Sequence, residues 1–172
     1  MILAKESLTR LINNNLITNK DKSQIIIDAS SIGLHLDIQF TVYVGRPETP
    51  VTPPVELPTK TTTHPDGYVI PPMGRVLACS EESISMPNKL MGFIQTKGSI
   101  ARGFLTVHLC DGQIDPGYIG KITFEIVNFS DMYYLLKPGM PIAQLFVYEL
   151  TEEVEPYSGR YQGASTPTSM ME

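Results

Sequence analysis

The sequence predicts a mainly β fold, a sandwich, jelly roll or barrel opened by one short helix, on three observations. Short apolar or alternating runs recur along most of the chain, and Pro, Gly and Asn turns separate them. No helical patterns alternate with these runs, as a parallel sheet would require. No internal repeat occurs.

The elements follow in order. Residues 5–17, Lys-Glu-Ser-Leu-Thr-Arg-Leu-Ile-Asn-Asn-Asn-Leu-Ile, place Leu8, Leu11, Ile12 and Leu16 at helical spacing, with the triple Asn as a weak stop. After a polar turn, residues 24–28 and 31–44 read as strands, the second alternating through Leu34, Leu36, Ile38 and Phe40. Residues 45–68 hold Pro47, Pro50, Pro53, Pro54, Pro58 and Pro65 among threonines, and each proline removes a ladder donor. That segment is expected to be an extended excursion. Residues 68–79, 83–87, 90–95, 104–109, 121–128, 133–136 and 142–150 complete the set of short strands. From Glu155 the chain turns polar and glycine-containing, which fits a frayed end. Tyr157, Arg160, Tyr161 and Gln162 nevertheless put stacking, anion-binding and amide groups within six residues, so a tail that orders over a ligand is the alternative.

At 172 residues and 42% apolar content the chain suits one domain able to bury its own core. A net charge of -5 argues against non-specific nucleic-acid binding, which needs a basic surface. Cys79 and Cys110 are the two cysteines, with no CxxC pair and no Cys/His spacing suited to a structural zinc. No signal peptide and no membrane-length apolar run is present, so a cytoplasmic protein with reduced thiols is expected.

The most informative stretch is Gly112-Gln-Ile-Asp-Pro-Gly-Tyr-Ile-Gly-Lys-Ile-Thr-Phe-Glu-Ile-Val-Asn128. Asp115 precedes Pro116 and Gly117 in a tight bend, where its side chain can reach a ligand or cap backbone amides. From Lys121 the period becomes two, so Ile122, Phe124 and Ile126 share one face while Thr123, Glu125 and Val127 share the other. Two acids reach one neighbourhood. By itself this pattern also fits a solvated Glu beside an Asx-turn Asp.

A second candidate is Gln95-Thr-Lys-Gly-Ser-Ile-Ala-Arg102. Lys97, Ser99 and Arg102 around Gly98 are able to surround a phosphate, although no Walker spacing occurs and an ordinary solvated loop has the same composition. His108, on a strand three residues before Asp111, fits a packed structural histidine better than a catalytic one. No GxSxG elbow or Cys/His nucleophile pattern appears.

Residues from about 69 to 163 resemble the dCTP deaminases of the trimeric dUTPase-like superfamily. The resemblance is carried by Pro71-Pro-Met-Gly-Arg-Val-Leu-Ala, Glu82-Ser-Ile-Ser-Met-Pro, residues 97–102, Val107-His, Ile114-Asp-Pro-Gly-Tyr-Ile-Gly, Ile122-Thr-Phe-Glu-Ile-Val-Asn, Pro138-Gly-Met-Pro-Ile-Ala-Gln-Leu and Arg160-Tyr-Gln-Gly. The N-terminal helix and the strands between Asp28 and Phe40 fit more loosely. The resemblance implies one dUTPase-like domain over residues 1–172, a distorted β-barrel or jelly roll in a homotrimer, with residues 155–172 closing over the nucleotide. It implies hydrolysis of dCTP to dUTP and ammonia in pyrimidine deoxynucleotide metabolism, with Mg²⁺ carried by the triphosphate and no zinc. dTTP as an inhibitor stays open.

The residue roles implied are specific. Glu125 matches the glutamate that takes a proton from water attacking C4 of cytosine and protonates the departing amine. Asp115 matches the acid that contacts the deoxyribose in deaminases and acts as the base for attack on the α-phosphate in dUTPases. Thr123 and Phe124 match positions lining the base and sugar pocket. Lys97, Gly98, Ser99, Ile100, Ala101 and Arg102 match the phosphate and active-site loop, with Arg102 also helping to order the water. Tyr157, Arg160 and Gln162 match the closing tail. Zinc nucleobase deaminases need an HxE and PCxxC arrangement, which this sequence lacks, so deamination by this chain would take a metal-independent route, with Glu125 as the acid that the resemblance implies.

The chain departs from the family at Gly98, where the usual loop, Arg-Ser-Ser-Leu-Ala-Arg, has a serine that helps hold the attacking water. Losing that hydroxyl would cost on the order of 10²-fold in rate if nothing replaces it. The segment Gly112-Gln-Ile-Asp-Pro-Gly-Tyr-Ile-Gly120 also fits the dUTPase pattern, and Lys121-Ile-Thr-Phe-Glu-Ile-Val resembles the bifunctional deaminase-diphosphatases. Besides the deaminase, the alternatives are the bifunctional enzyme, a dUTPase, and a regulator that binds deoxynucleotide without turnover.

Overall fold

In the computed structural model, residues 1–45 and 47–170 are described, and their architecture follows from one long strand. Strand β1 (Ile32–Tyr43) pairs antiparallel with β10 (Pro141–Glu149) through its first residues, then with β4 (Arg75–Ser85) and β2 (Thr59–Thr63) through its second half. Because its partners change along its length, the sheet curls. The strand order is β6 (Leu105–Thr106), β8 (Ile119–Asn128), β4, β1, β10, β5 (Leu90–Thr96) and β7 (Gln113–Ile114), with β2 added at β1. A separate two-stranded ribbon joins β3 (Tyr68–Ile70) to β9 (Tyr134–Leu136). The result is mainly β with one short N-terminal helix, as the sequence predicts, and the expected distorted barrel or jelly roll takes the form of a curled half-barrel sheet.

The core fills the inside of the curl. Phe40, Leu34 and Leu36 of β1, Phe124 and Ile126 of β8, and Leu145 and Val147 of β10 are all fully buried. Each such side chain contributes about 1.5–3 kcal/mol by leaving water. Helix α1 (Lys5–Asn13) adds Leu8 and Ile12 from one face. It ends four residues before the expected limit at residue 17, because Asn15 takes a left-handed conformation with φ 64° and Leu16 and Ile17 then run against β4.

Three further expectations change. Residues 24–28 form no strand: residues Lys22–Gln24 make a 3-10 turn capped by Asp21, and only an isolated bridge links Ile27 to Ile32. The proline-rich excursion does contain a strand, β2, because a run of β-branched threonines lies between Pro58 and Pro65 where no proline interrupts the ladder. The segments read as 68–79 and 83–87 share one continuous strand, β4, across a bulge.

That bulge contains the most buried charge of the fold. Between the pairs Cys79–Thr123 and Ser83–Lys121, four steps along β4 face two along β8. The Ser80 hydroxyl donates to the Glu82 carbonyl at 2.6 Å and accepts the Ile122 amide at 2.9 Å, replacing the interrupted ladder. Glu82, with no solvent exposure, accepts the His35 amide at 2.8 Å on Oε2, while Oε1 lies 2.6 Å from His35 Nδ1 and accepts Lys20 Nζ at 2.9 Å. Lys20 also donates to Glu81 at 2.8 Å. Burial disfavours the Lys20 ammonium, but its hydrogen bonds with Glu81 and Glu82 and their charges outweigh this and hold its pKa above the ordinary 10.5.

Replacing Glu82 strands buried partners, so Glu82→Gln should lower unfolding free energy by roughly 3 kcal/mol in a denaturant titration. Because the Lys20 pKa is raised on folding, its contribution is complete below pH 10.5 and is lost as pH rises through the folded value. The alkaline loss of stability should therefore be shallower in the variant.

Candidate active site

Alternation along β8 sets the two faces of the site. Ile122, Phe124 and Ile126 enter the core, leaving Thr123 and Glu125 half-buried on the opposite face. Across the ladder, Glu125 lies beside Leu77 and Thr123 beside Cys79, while Thr41 pairs with Leu77 from β1. One Glu125 oxygen, Oε2, accepts the amides of Leu109 at 3.1 Å and Cys110 at 2.9 Å. Two backbone donors hold the carboxylate in one orientation.

A cavity of about 520 Å³ opens over Glu125, within the range of small-molecule sites. Of the residues singled out in the sequence, Asp115, Thr123, Phe124 and Tyr157 also line it. Asp115 Oδ1 accepts the Gln113 side-chain amide at 2.6 Å, and Asp111 Oδ1 accepts the Gln113 backbone amide at 3.0 Å. His108 also lines the cavity, its Nε2 3.4 Å from Gln95 Oε1. Cys79 is no nucleophile: burial first, then the Asp37 charge, pushes its thiol up to about 12. Burial likewise raises the Tyr118 hydroxyl to about 12, and that hydroxyl donates to the Lys121 carbonyl at 2.6 Å.

The Asp115 turn and the C-terminal segment are built for each other. Gly117 has φ 77°, and a Cβ there would lie 2.4 Å from Pro156 Cβ. Gly120 has φ 147°, and a Cβ there would lie 2.8 Å from the Ala164 backbone. Both glycines leave the space through which the segment passes. It is tied down by Tyr157 N to Pro116 O at 2.8 Å, Gly163 N to Ile119 O at 2.8 Å and Lys121 N to Ala164 O at 2.7 Å. Gln162 completes the seam: Oε1 accepts the Ile119 amide at 2.8 Å, and Nε2 donates to Gly117 O and Tyr157 O at 2.9 and 3.1 Å. Among the described residues the segment is therefore seated against the turn. Residues 171 and 172 of the expected tail lie outside the described residues.

Not every expected residue reaches the cavity. Gln162 is occupied by the seam, and exposed Arg160 does not line the pocket. Lys97, Gly98, Ser99, Ile100, Ala101 and Arg102 lie on a separate loop and single-turn helix α2 (Gly98–Ala101), and none of them lines the Glu125 cavity. The structure thus does not gather the cationic loop and the two acids into one pocket of one chain. The loop is tied to residues 103–107, with Thr96 accepting the Val107 amide and Tyr134 donating to the Gly103 carbonyl. At Gly98 an added Cβ would meet only Arg102 Nη1, at an ordinary 3.6 Å, so the backbone does not demand glycine.

Sequence reasoning did not name Tyr43 and Leu77 as lining residues, and it gave Thr168, Ser169 and Met170 only as part of the closing tail. Tyr43 and Leu77 arrive through the β1–β4–β8 register, and the last three through the path of the tail, neither of which leaves a local signal.

A dCTP deaminase-like family model matches residues 2–150. The chain is 36% identical over 154 residues to a dCTP deaminase, dUMP-forming, of Streptomyces griseus, covering 84% of this chain and 81% of that one. It is 32% identical over 178 residues to the protein of the same description from Thermobifida fusca, covering 98% and 91%. Among solved structures, the 2'-deoxycytidine 5'-triphosphate deaminase of Agrobacterium tumefaciens superimposes with a TM-score of 0.64 at 17% identity over 85% of this chain, which spans about half (47%) of that protein. The EIAV dUTPase does so with a TM-score of 0.50 at 18% identity, over 85% of this chain and 93% of that one. At these identities the structural likeness concerns the fold.

Gly117→Ala, which combines positive-φ strain with a collision, should unseat the C-terminal segment and speed tryptic cleavage after Arg160 about tenfold. Gly98→Ser should be accommodated, leaving the unfolding free energy within about 0.5 kcal/mol of the parent in the same titration.

Proposed function

Because the chain belongs to the dCTP deaminase-like family, we propose that it hydrolyses dCTP at C4 of the cytosine, releasing ammonia, and then cleaves the nucleotide to dUMP and pyrophosphate. The observation that carries this reading is Glu125, a half-buried carboxylate held by two backbone amides at the wall of a nucleotide-sized cavity. Water adds its oxygen to C4 while Glu125 takes one water proton and passes it to N3; Glu125 then takes the proton of the new C4 hydroxyl and gives it to the amino nitrogen as C4=O forms and the C4–N bond breaks. The proton balance closes within the residue, as a single general acid–base group requires. The second step has the relatives' "dUMP-forming" description as its support, together with Asp115 on the wall of the same cavity. There Asp115 activates the water that attacks the α-phosphate, with Mg²⁺ travelling on the triphosphate to neutralise charge as pyrophosphate leaves.

Metal ligands from this chain are not part of the reading. Among the described residues, the one cluster of three candidate ligands within 4.8 Å is His35, Glu81 and Glu82, and Lys20 already donates to both carboxylates there.

The cationic loop enters through assembly. Lys97, Ser99 and Arg102 bind phosphate, and Arg102 helps order the water, in a site completed between copies of a homotrimer. What supports this is their separation from the Glu125 cavity within one chain. A second support is an exposed apolar surface in which Val69 pairs with Leu135 and Phe104 bonds to Phe129, with Met132 and Tyr133 close in sequence. No helix among the described residues is long and apolar enough to cross a membrane.

Incubation with dCTP and Mg²⁺ should release both ammonia and pyrophosphate. Glu125→Gln should lower ammonia release by about 10³-fold while the dCTP dissociation constant stays within about threefold. Turnover retained by that variant would sink the mechanism. Pyrophosphate from dUTP alone would indicate a dUTPase, and dCTP binding without either product a regulator.

A further inference from the structure

The segment beyond Gly163 does not leave the molecule. Pro167 is buried, and Thr168, Ser169 and Met170 form a side of the Glu125 cavity together with Tyr43 and Leu77. Four hydrogen bonds hold the segment there, all to side chains on the open face of the β1–β4–β8 sheet. Thr41 Oγ1 donates to Pro167 O at 3.4 Å, and Tyr43 Oη accepts the Met170 amide at 2.9 Å. Between them, Thr123 Oγ1 accepts the Thr168 amide at 3.1 Å and lies 2.8 Å from Thr168 Oγ1.

A hydroxyl has one proton to donate and two lone pairs. The Thr168 amide and hydroxyl take two of these three positions on Thr123, leaving one. The cavity nevertheless stands open at about 520 Å³ with the segment in place. The segment is therefore a wall of the pocket, not a plug in it. Bonds between neutral groups at a solvent-facing rim are individually modest, so the wall depends on this double contact.

We propose that Thr123 and Thr168 form a hydroxyl latch that fixes residues 167–170 as the wall of the cavity facing β1 and β4, and that Thr123 serves the nucleotide site through this wall. Thr123 is then a positioning residue whose partner is encoded 45 positions later. The inference rests on the nucleotide-binding reading given above, and its test separates the two.

Thr123→Val, Thr168→Val, the double variant and a chain ending at Thr166 should each raise the KM for dCTP about fivefold to tenfold, with kcat within about twofold. The double variant should be no worse than either single one, and Thr123→Ser, which keeps the hydroxyl, should restore the parental KM. A Thr168→Val enzyme indistinguishable from the parent, additive effects in the double variant, or tighter binding after truncation would each overturn the latch. Parent protein that binds dCTP but releases neither product would remove the catalytic reading alone. The latch would then be judged by the same pattern in the dCTP dissociation constants.

Discussion

Glu82 sits where β1 stops pairing with β10 and begins pairing with β4, and its carboxylate supplies what the departing ladder withdraws. At this point β1 faces Pro141 across a register shift, and the His35 amide donates to Glu82 Oε2 instead of to a ladder carbonyl. A sheet that changes partners leaves backbone donors inside the core, and an unpaired donor there costs more than a hydrogen bond contributes. The buried acid meets that need, and Lys20 supplies its counter-charge from the segment after α1. Such a cluster is weak evidence of net stabilisation, since an apolar replacement of the whole group can be neutral. Its importance is positional.

The consequence reaches the site through register. The β4 bulge that carries Glu82 adds two residues relative to β8, and an even insertion keeps the side-chain faces in phase on both sides of it. Ser80 bridges the gap to Ile122, so Thr123 and Glu125 are delivered to the face away from the core. A slip of one residue would bury Glu125 and expose Phe124. The acid at the bulge and the acid at the site are thus linked by a few positions of β8.

Around Glu125 the pocket is assembled from distant parts that meet by exclusion of volume. Loop amides at Leu109 and Cys110 aim the carboxylate. The glycines of the Asp115 turn leave a channel for residues 156–164, and the threonines of the sheet face receive residues 167–170. The C-terminal segment is accordingly a structural member of the pocket on two sides. Residues 97–102 line no part of the pocket.

By itself the sequence determined the elements whose signal is local. Period-two alternation separated Glu125 from Phe124, the Asp-Pro-Gly turn placed Asp115, and the apolar spacing of Leu8 and Ile12 gave the helix. The resemblance added the family, which the comparisons bear out. Only the tertiary structure decided what depends on partners far away in the chain. The merging of two read strands into β4 needed the Ser80 and Glu82 bulge, and β2 needed the edge of β1 to outweigh its flanking prolines. The commitment of Gln162 to a turn, and of Thr123 to Thr168, followed from the path of the tail. A side chain's periodicity fixes the face it occupies, but its hydrogen-bond partner is whatever the folded chain brings within three ångströms, and no local pattern encodes that.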